Sequence, residues 1–251
     1  MILRRVIKHF REQEWTAIAL DFLIVVLGVF VGLQVQNWNE ARLDYVAYQQ
    51  AYSRMVSEAR NNIVRAEQAM ETISPIMENF QKAVEDIRAC RDDKEASGRI
   101  KTAVETLTVS IGSRFQNSAI SQLTTSERLL EQQSPERRVQ YAQYAQTLST
   151  LNHWGDQVLE KMEMRSDELH PFLDYGPFTK KPAGWDGKYQ GRTIVLTVAP
   201  GVACKDDAFR KLLYRWEAGV QYQLGVMEQI DVKTKEFLEA LGEDAAGEST
   251  P

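Results

Sequence analysis

Residues Trp15 to Val35, WTAIALDFLIVVLGVFVGLQV, hold a single ionisable side chain, Asp21. An α-helix rises 1.5 Å per residue, so about 20 apolar residues match a hydrocarbon core of about 30 Å. A helix of this composition has no polar face to turn to water, and the pattern predicts one transmembrane signal anchor over residues 15–35. Trp15 and Trp38 bracket the run, and indole rings favour the headgroup level because a large apolar body carries one N–H donor. A cleaved signal peptide would have a shorter apolar core ending at a small-x-small site. Here the exit reads GLQVQNWNEARL, so the anchor is expected to stay attached.

The flank at residues 1–14 carries Arg4, Arg5, Lys8 and Arg11, against only Arg42 and Arg54 soon after the anchor. The positive-inside bias therefore predicts a cytoplasmic N-terminus and a single pass through a bacterial inner membrane, with the bulk of the chain periplasmic or otherwise extracytoplasmic. The flank carries +2 and the anchor −1, which leaves −6 of the formal −5 for everything beyond. A mildly acidic domain argues against nucleic acid as partner. The lipid bilayer is the first partner implied, followed by a homo-oligomer or a second transmembrane protein.

The chain has two cysteines, Cys90 and Cys204, both in the exported part, in the similar settings CRDD and CKDD. An oxidising compartment lets a disulfide persist, and one Cys90–Cys204 bridge is expected, two unrelated buried thiols being the alternative.

From Tyr45 onward, apolar or small residues recur in steps of three and four: Tyr45, Tyr48, Tyr52, Met55, Ala59, Ile63, Ala66, Met70, Ile73, Met77, Phe80, Val84 and Ile87. This heptad-like, coiled-coil stripe predicts that the anchor helix continues outward, kinked at Pro75. Lys101–Ile111 reads either as strand or as helix end, and Phe115–Gln132 as helix. A third helix is expected from Pro135 to about Leu169, with the inward stripe Val139, Ala142, Ala145, Leu148, Leu151, Gly155, Val158, Met162 and Leu169. Asp174–Cys204 is irregular apart from Thr193–Val198, which is expected to pair with Leu107–Ile111 as a two-stranded ribbon. A last helix spans about Asp206–Leu241, with Trp216 on its inner stripe as Trp154 is on that of the third helix. The tail 242–251 lacks apolar period and is expected to be disordered. The fold class is thus mainly all-α: an antiparallel helical bundle over 36–241 with a small irregular or two-stranded insert.

Chemistry-bearing patterns are sparse. Gly28 and Gly32 form a small-xxx-small step and Asp21 falls near the same face, which favours a helix–helix contact within the membrane; the alternative is the ordinary frequency of glycine in such helices. His9, His153 and His170 show no ligand spacing, Met162 and Met164 suit core filling, and Asp92, Asp93, Asp206 and Asp207 suit helix ends. No nucleophile elbow or phosphate loop occurs, so neither enzyme chemistry nor a metal or other cofactor is expected. Tyr175, Phe178, Trp185 and Tyr189 form an aromatic cluster in the insert, a candidate binding loop or a loop pinned to the bundle.

The junction formed by Asp21, Leu33, Gln34, Asn37, Trp38, Asn39 and Glu40 resembles a domain-of-unknown-function family of bacterial single-pass proteins. In that family an acidic residue opens the anchor, which closes on an LQ-x-x-NWNE sequence. RFQNSAISQLTTSERLLEQQSPERRVQYAQY is similar to its middle helical part and DDAFRKLL to its final helix. Asp21 stands where the family has glutamate, and Gln36 precedes Asn37. The resemblance implies architecture and carries no activity. Together with Trp15, the collar Asn37, Trp38, Asn39 and Glu40 would sit at the interfaces, either docking a partner or simply solvated.

Two functions follow: a noncatalytic scaffold or modulator of an envelope complex, or an extracytoplasmic sensor that binds a ligand and signals through a partner. Labelling of the unreduced, unfolded chain is expected to find no free thiol; quantitative modification of both cysteines would remove the bridge.

Overall fold

The structure, a computed structural model, describes residues 15–107, 114–162, 169–180 and 190–245. It is mainly helical. Helix α1 spans Trp15–Arg88, α2 Lys94–Thr106, α3 Ser118–Thr125, α4 Glu127–Glu131, α5 Pro135–Met162, α6 Pro200–Ala203 and α7 Asp207–Leu241, with strands β1 at Leu173–Lys180 and β2 at Gln190–Leu196. Among the described residues, α1 is the one helix long and apolar enough to cross a membrane, and its apolar window is unburied.

The bundle has four stems. α1 runs from its apolar segment (the near end) to Arg88 (the far end). The chain then returns through α2, α3 and α4, ascends again in α5, turns through the hairpin, and descends in α7. Side-chain contacts fix the directions: Phe80 meets Trp216 and Tyr52 meets Glu243, so α1 and α7 are antiparallel. Tyr48 bonds Tyr141, so α5 runs with α1.

The stripe on α1 is buried from Met55 to Ile87, except Met70, which is half-buried, whereas Tyr45, at the edge of the bundle, is exposed. Pro75 leaves the helix unbroken, and Ser74 stays helical with its hydroxyl donating to the Met70 carbonyl at 2.7 Å. On α5 the inward positions are Tyr141, Tyr144, Leu148, Leu151 and Gly155, whereas Val139 and Ala142 are exposed. The tyrosine rings fill the core: Tyr144 stacks on Phe237 at 3.9 Å and its hydroxyl reaches Thr234 at 3.2 Å. Trp216 is buried, but Trp154 is 45% exposed.

Phe115–Gln132 is expected as one helix, but 114–117 are non-helical and the rest forms two short helices, α3 and α4; two asparagines explain the break at Phe115–Gln116. Asn62 on α1 donates to the Gln116 carbonyl and accepts from the Gln116 N–H, both at 2.8 Å. Asn152 on α5 does the same for Phe115, at 3.1 and 3.0 Å. Each amide replaces a peptide partner, so the extended segment leaves its backbone groups satisfied between two stems. Glu58 then caps α3 by accepting from the Ala119 N–H at 2.9 Å.

The hairpin also differs from the expected ribbon. β2 pairs antiparallel with β1, in the register Leu173↔Leu196 and Tyr175↔Ile194. Leu107 closes α2, and 108–111 lie outside the described residues. The register shifts by one between Tyr175 and Phe178. Gly176 sits at this shift because a Cβ there would lie 2.5 Å from the Thr193 hydroxyl. Leu173 and Ile194 are buried, anchoring the hairpin against the bundle. Two asparagine bonds to a buried segment set the expectation for Asn62→Ala: a loss of about 2–4 kcal/mol in urea unfolding of the bundle, because Gln116 loses both partners.

Candidate functional site

Two regions hold the residues singled out above: the emergence of α1 from its apolar segment and the far end of the bundle.

At the near end, Leu20 to Val35 is bare helix, and a Cβ built on Gly28 or Gly32 meets nothing within 4 Å. Asp21 is exposed, and so are Asn37, Trp38, Asn39 and Glu40. Gln36 donates to Glu40 one turn on, at 2.9 Å. The helix is described from Trp15 onward. Among the described residues the ion pair to α1 nearest the apolar segment is Arg128–Asp44 at 2.7 Å. From Val35 to Asp44 a helix rises about 13 Å.

Above that tie stands a network that sequence patterning left out. The Tyr52 hydroxyl donates to Glu243 at 2.8 Å, Arg60 donates to the other Glu243 oxygen at 3.3 Å, and Arg137 donates to the Leu241 carbonyl at 3.2 Å. Gly242, at φ 78°, turns the chain at the end of α7 and so delivers Glu243 to α1. Burial, followed by the Glu243 hydrogen bond, pushes Tyr52 up to about 12. The signal available in sequence was a glycine after an apolar stripe; the acid's target lies 191 residues away.

At the far end, Cys90 and Cys204 are joined by a disulfide with Cα atoms 5.3 Å apart. Cys90 takes the left-handed position that ends α1, at φ 50°, with Arg91 N–H bonded to Asp86 C=O and Cys90 N–H to Ile87 C=O. Glycine is the usual residue there, and an L-residue costs about 1–2 kcal/mol. The bridge over 114 residues offsets that cost by constraining the unfolded chain, by about 4–5 kcal/mol in the entropy model. Asp93 caps α2, accepting from Glu95 and Ala96, and Asp206 caps α7, accepting from Phe209. The bridge therefore staples two corners, each leading into a capped helix.

Beside it, Asp86 is buried and bonds Arg91 and Arg99, each at 2.7 Å. The Arg99 hydrogen bond, reinforced by the Arg99 and Arg91 charges, outweighs desolvation and holds the carboxyl below the usual range. His170 lies 3.3 Å from Asp206 and accepts the Phe172 N–H at Nδ1, edge-on to Phe172 and Phe209. These contacts hold the hairpin root.

Tyr175 and Phe178 sit on β1, 48% and 62% exposed; Trp185 and Tyr189 lie outside the described residues. The one-residue register shift turns Tyr175 and Phe178 to the same face of the hairpin. Trp154 and Tyr222, edge-on at 6.5 Å, flank a shallow groove between α5 and α7. His153 bonds Gln157 on the helix surface. Among the described residues no group of three or more His, Cys, Asp or Glu gathers as a metal-ligand set. No protein-family model, no curated protein and no solved structure matches the chain.

Asp86 supplies a pH test. Its depressed folded value means that its contribution is present above the unfolded value near 4 and is lost as pH falls through the folded one. Asp86→Asn is expected to cost about 1–3 kcal/mol at pH 7 in urea unfolding, and the gap to the parent chain should narrow toward pH 2. A gap independent of pH would show that the ion cluster contributes nothing through its charge.

Proposed function

We propose that this chain is a noncatalytic single-pass inner-membrane protein whose bundle stands on the extracytoplasmic side as a scaffold or modulator of an envelope complex. One observation carries the reading: α1 is a single unbroken helix whose first part is apolar and bare while its second part is the central stem of the bundle. A bundle built on its own anchor has its position and tilt set by the membrane. Apolar side chains uncovered by protein over Leu20–Val35 are stable in lipid and costly in water, at about 25 cal/mol per Å².

Orientation is supported by the basic residues Arg4, Arg5, Lys8 and Arg11 before the anchor. The disulfide supports an oxidising compartment for the bundle. In this orientation Asn37, Trp38, Asn39 and Glu40 occupy the headgroup layer, and the bundle floor at Asp44 stands just above it. Asp21, Gly28 and Gly32 are the contact face offered to another transmembrane helix, of this chain or of a partner protein. The resemblance at the NWNE junction fits the same architecture.

The second reading, a sensor module, has its own observation: Tyr175 and Phe178 stand exposed on one face of a hairpin at the end of the bundle away from the anchor. A ligand there could act on α1 through the disulfide-stapled corner and through α2, which packs against both β2 and α1.

In-cell crosslinking followed by mild extraction and mass spectrometry tests the scaffold reading. A reproducible heterologous protein linked to the native-level chain, in an alkali-resistant membrane fraction, is the expected result. Recovery in the soluble fraction would overturn the anchor. Ligand-dependent protection of the β1 face without any linked partner would shift the assignment to the sensor.

A further inference from the structure

Of the two histidines among the described residues, His153 bonds Gln157 within α5, whereas His170 joins two separate elements. Its side chain is only 12% exposed. Nδ1 accepts the Phe172 N–H at 3.2 Å, and Nε2 lies 3.3 Å from Asp206 Oδ1, the oxygen that caps α7 by accepting the Phe209 N–H at 2.8 Å. The uncharged rings of Phe172 and Phe209 meet the imidazole edge-on at 5.0 and 5.4 Å. Among the described residues Asp206 is the charged group paired with the ring. Neighbouring charges are turned elsewhere: Asp174 accepts from the Tyr175 N–H, Asp207 pairs with Arg210 and Lys211, and Lys205 is exposed.

These contacts fix the tautomer. An imidazole nitrogen accepts a hydrogen bond only while it carries no proton, so the Phe172 contact requires the neutral ring with its N–H on Nε2, donating to Asp206. A side chain that accepts the N–H two residues on is the turn pattern of asparagine and aspartate, supplied here by a histidine. The same turn is closed by the Leu173 N–H, which donates to the His170 carbonyl at 2.7 Å. The Phe172 carbonyl accepts the Thr197 N–H at 2.9 Å, just before the β1–β2 register begins. One ring therefore ties the first residues of the hairpin to the cap of α7.

We propose that His170 is a pH-sensitive latch, which holds the hairpin root to the start of α7 while neutral and releases Phe172 when protonated. A second proton can be placed only on Nδ1. There it turns the acceptor into a donor that faces the Phe172 N–H, while Nε2 keeps Asp206 and the contact becomes an ion pair. The Phe209 N–H bond holds the Asp206 carboxyl below the usual carboxylate range, so the acid stays charged as the ring titrates. Opening of the turn thus binds one proton that the closed turn excludes, and the opening equilibrium rises by up to about tenfold for each unit that pH falls. Imidazole is the side chain whose ordinary charge change lies between about pH 5 and pH 8. Leu173 and Ile194 stay buried in the core, which confines the release to the root. That root leads directly into the strand that carries the exposed Tyr175 and Phe178, so the latch sets how firmly their face is held. The latch acts within the bundle and is independent of how the chain sits in a membrane.

The test is residue-resolved amide hydrogen exchange of the full chain in detergent micelles, corrected for the intrinsic pH dependence of exchange, at about pH 8 and about pH 5. Protection of the Phe172 amide is expected to fall at least fivefold at the lower pH, whereas the Phe209 amide, held by Asp206, changes less than twofold. His170→Asn offers an oxygen to the same N–H and does not titrate, so its Phe172 protection is expected to be equal at the two pH values. His170→Phe, which has no acceptor, is expected to show low protection at both. Phe172 protection independent of pH in the parent chain overturns the latch, and so does an undiminished fall in His170→Asn. An equal fall at Phe209 overturns it as well, because the acid would then loosen the whole corner. The contrast between Phe172 and Phe209 within the parent chain decides the matter even where a variant fails to fold.

Discussion

The packing of α7 along α1 is the contact on which the rest of the bundle leans. From Ala51 to Ile87, α1 presents an apolar stripe about 55 Å long, and only a partner of similar length covers it. α7, with 35 residues, extends about 52 Å. The two meet through Phe80 and Trp216, with ring centroids 4.1 Å apart. α5 then closes on α7 through Tyr144, Phe237 and Thr234, and the broken second stem fills the remaining side. Each later element has a surface to fold against only because the first pair exists.

Both ends of that pair are closed by devices that cross large sequence separations. At the far end a disulfide joins the residue that terminates α1 to the corner before α7, and Asp86 gathers two arginines beside it. At the near end Glu243 ties the end of α7 to Tyr52 and Arg60. Between them the amides of Asn62 and Asn152 hold an extended strip of backbone inside a helical bundle. The helix emerging below the closed near end is therefore joined firmly to the bundle above, so the orientation of one sets that of the other. That coupling makes both the scaffold and the sensor readings physically coherent.

The elements legible in the sequence are those with long, uninterrupted periodicity. From Met55 to Ile87 the α1 stripe is buried apart from Met70, and of the α7 stripe Phe209, Trp216, Val220, Met227, Ile230 and Leu238 are buried while Leu212 and Leu224 are half-buried. Ser134 and Pro135 mark the start of α5, with Ser134 accepting from the Arg137 N–H. On α5 the expected stripe holds at Leu148, Leu151 and Gly155 but not in the first turns, where Val139 and Ala142 are exposed and the amphipathic Tyr141 and Tyr144 turn inward and find hydroxyl partners. The break at Phe115–Gln116 carries no local signal, since its cause is two side chains on other stems. The strand at Thr193 was visible as a β-branched run, but its partner is the segment from Leu173, whose Leu173 packs with Ile194 into the core.

By itself the sequence determined what depends on neighbours along the chain: an apolar segment of bilayer length, helices whose apolar period requires a buried face, caps and punctuation at their ends, and an aromatic-rich insert. Tertiary structure decided what depends on distance through space: which stem each stripe covers, where two amides replace helix bonds, which strand pairs with which, and which acid reaches Tyr52. The reason is that hydrophobic period is a property of consecutive residues. A hydrogen bond between Glu243 and Tyr52, or a peptide surrogate at Asn62, exists only once loops have brought remote segments within about 3 Å.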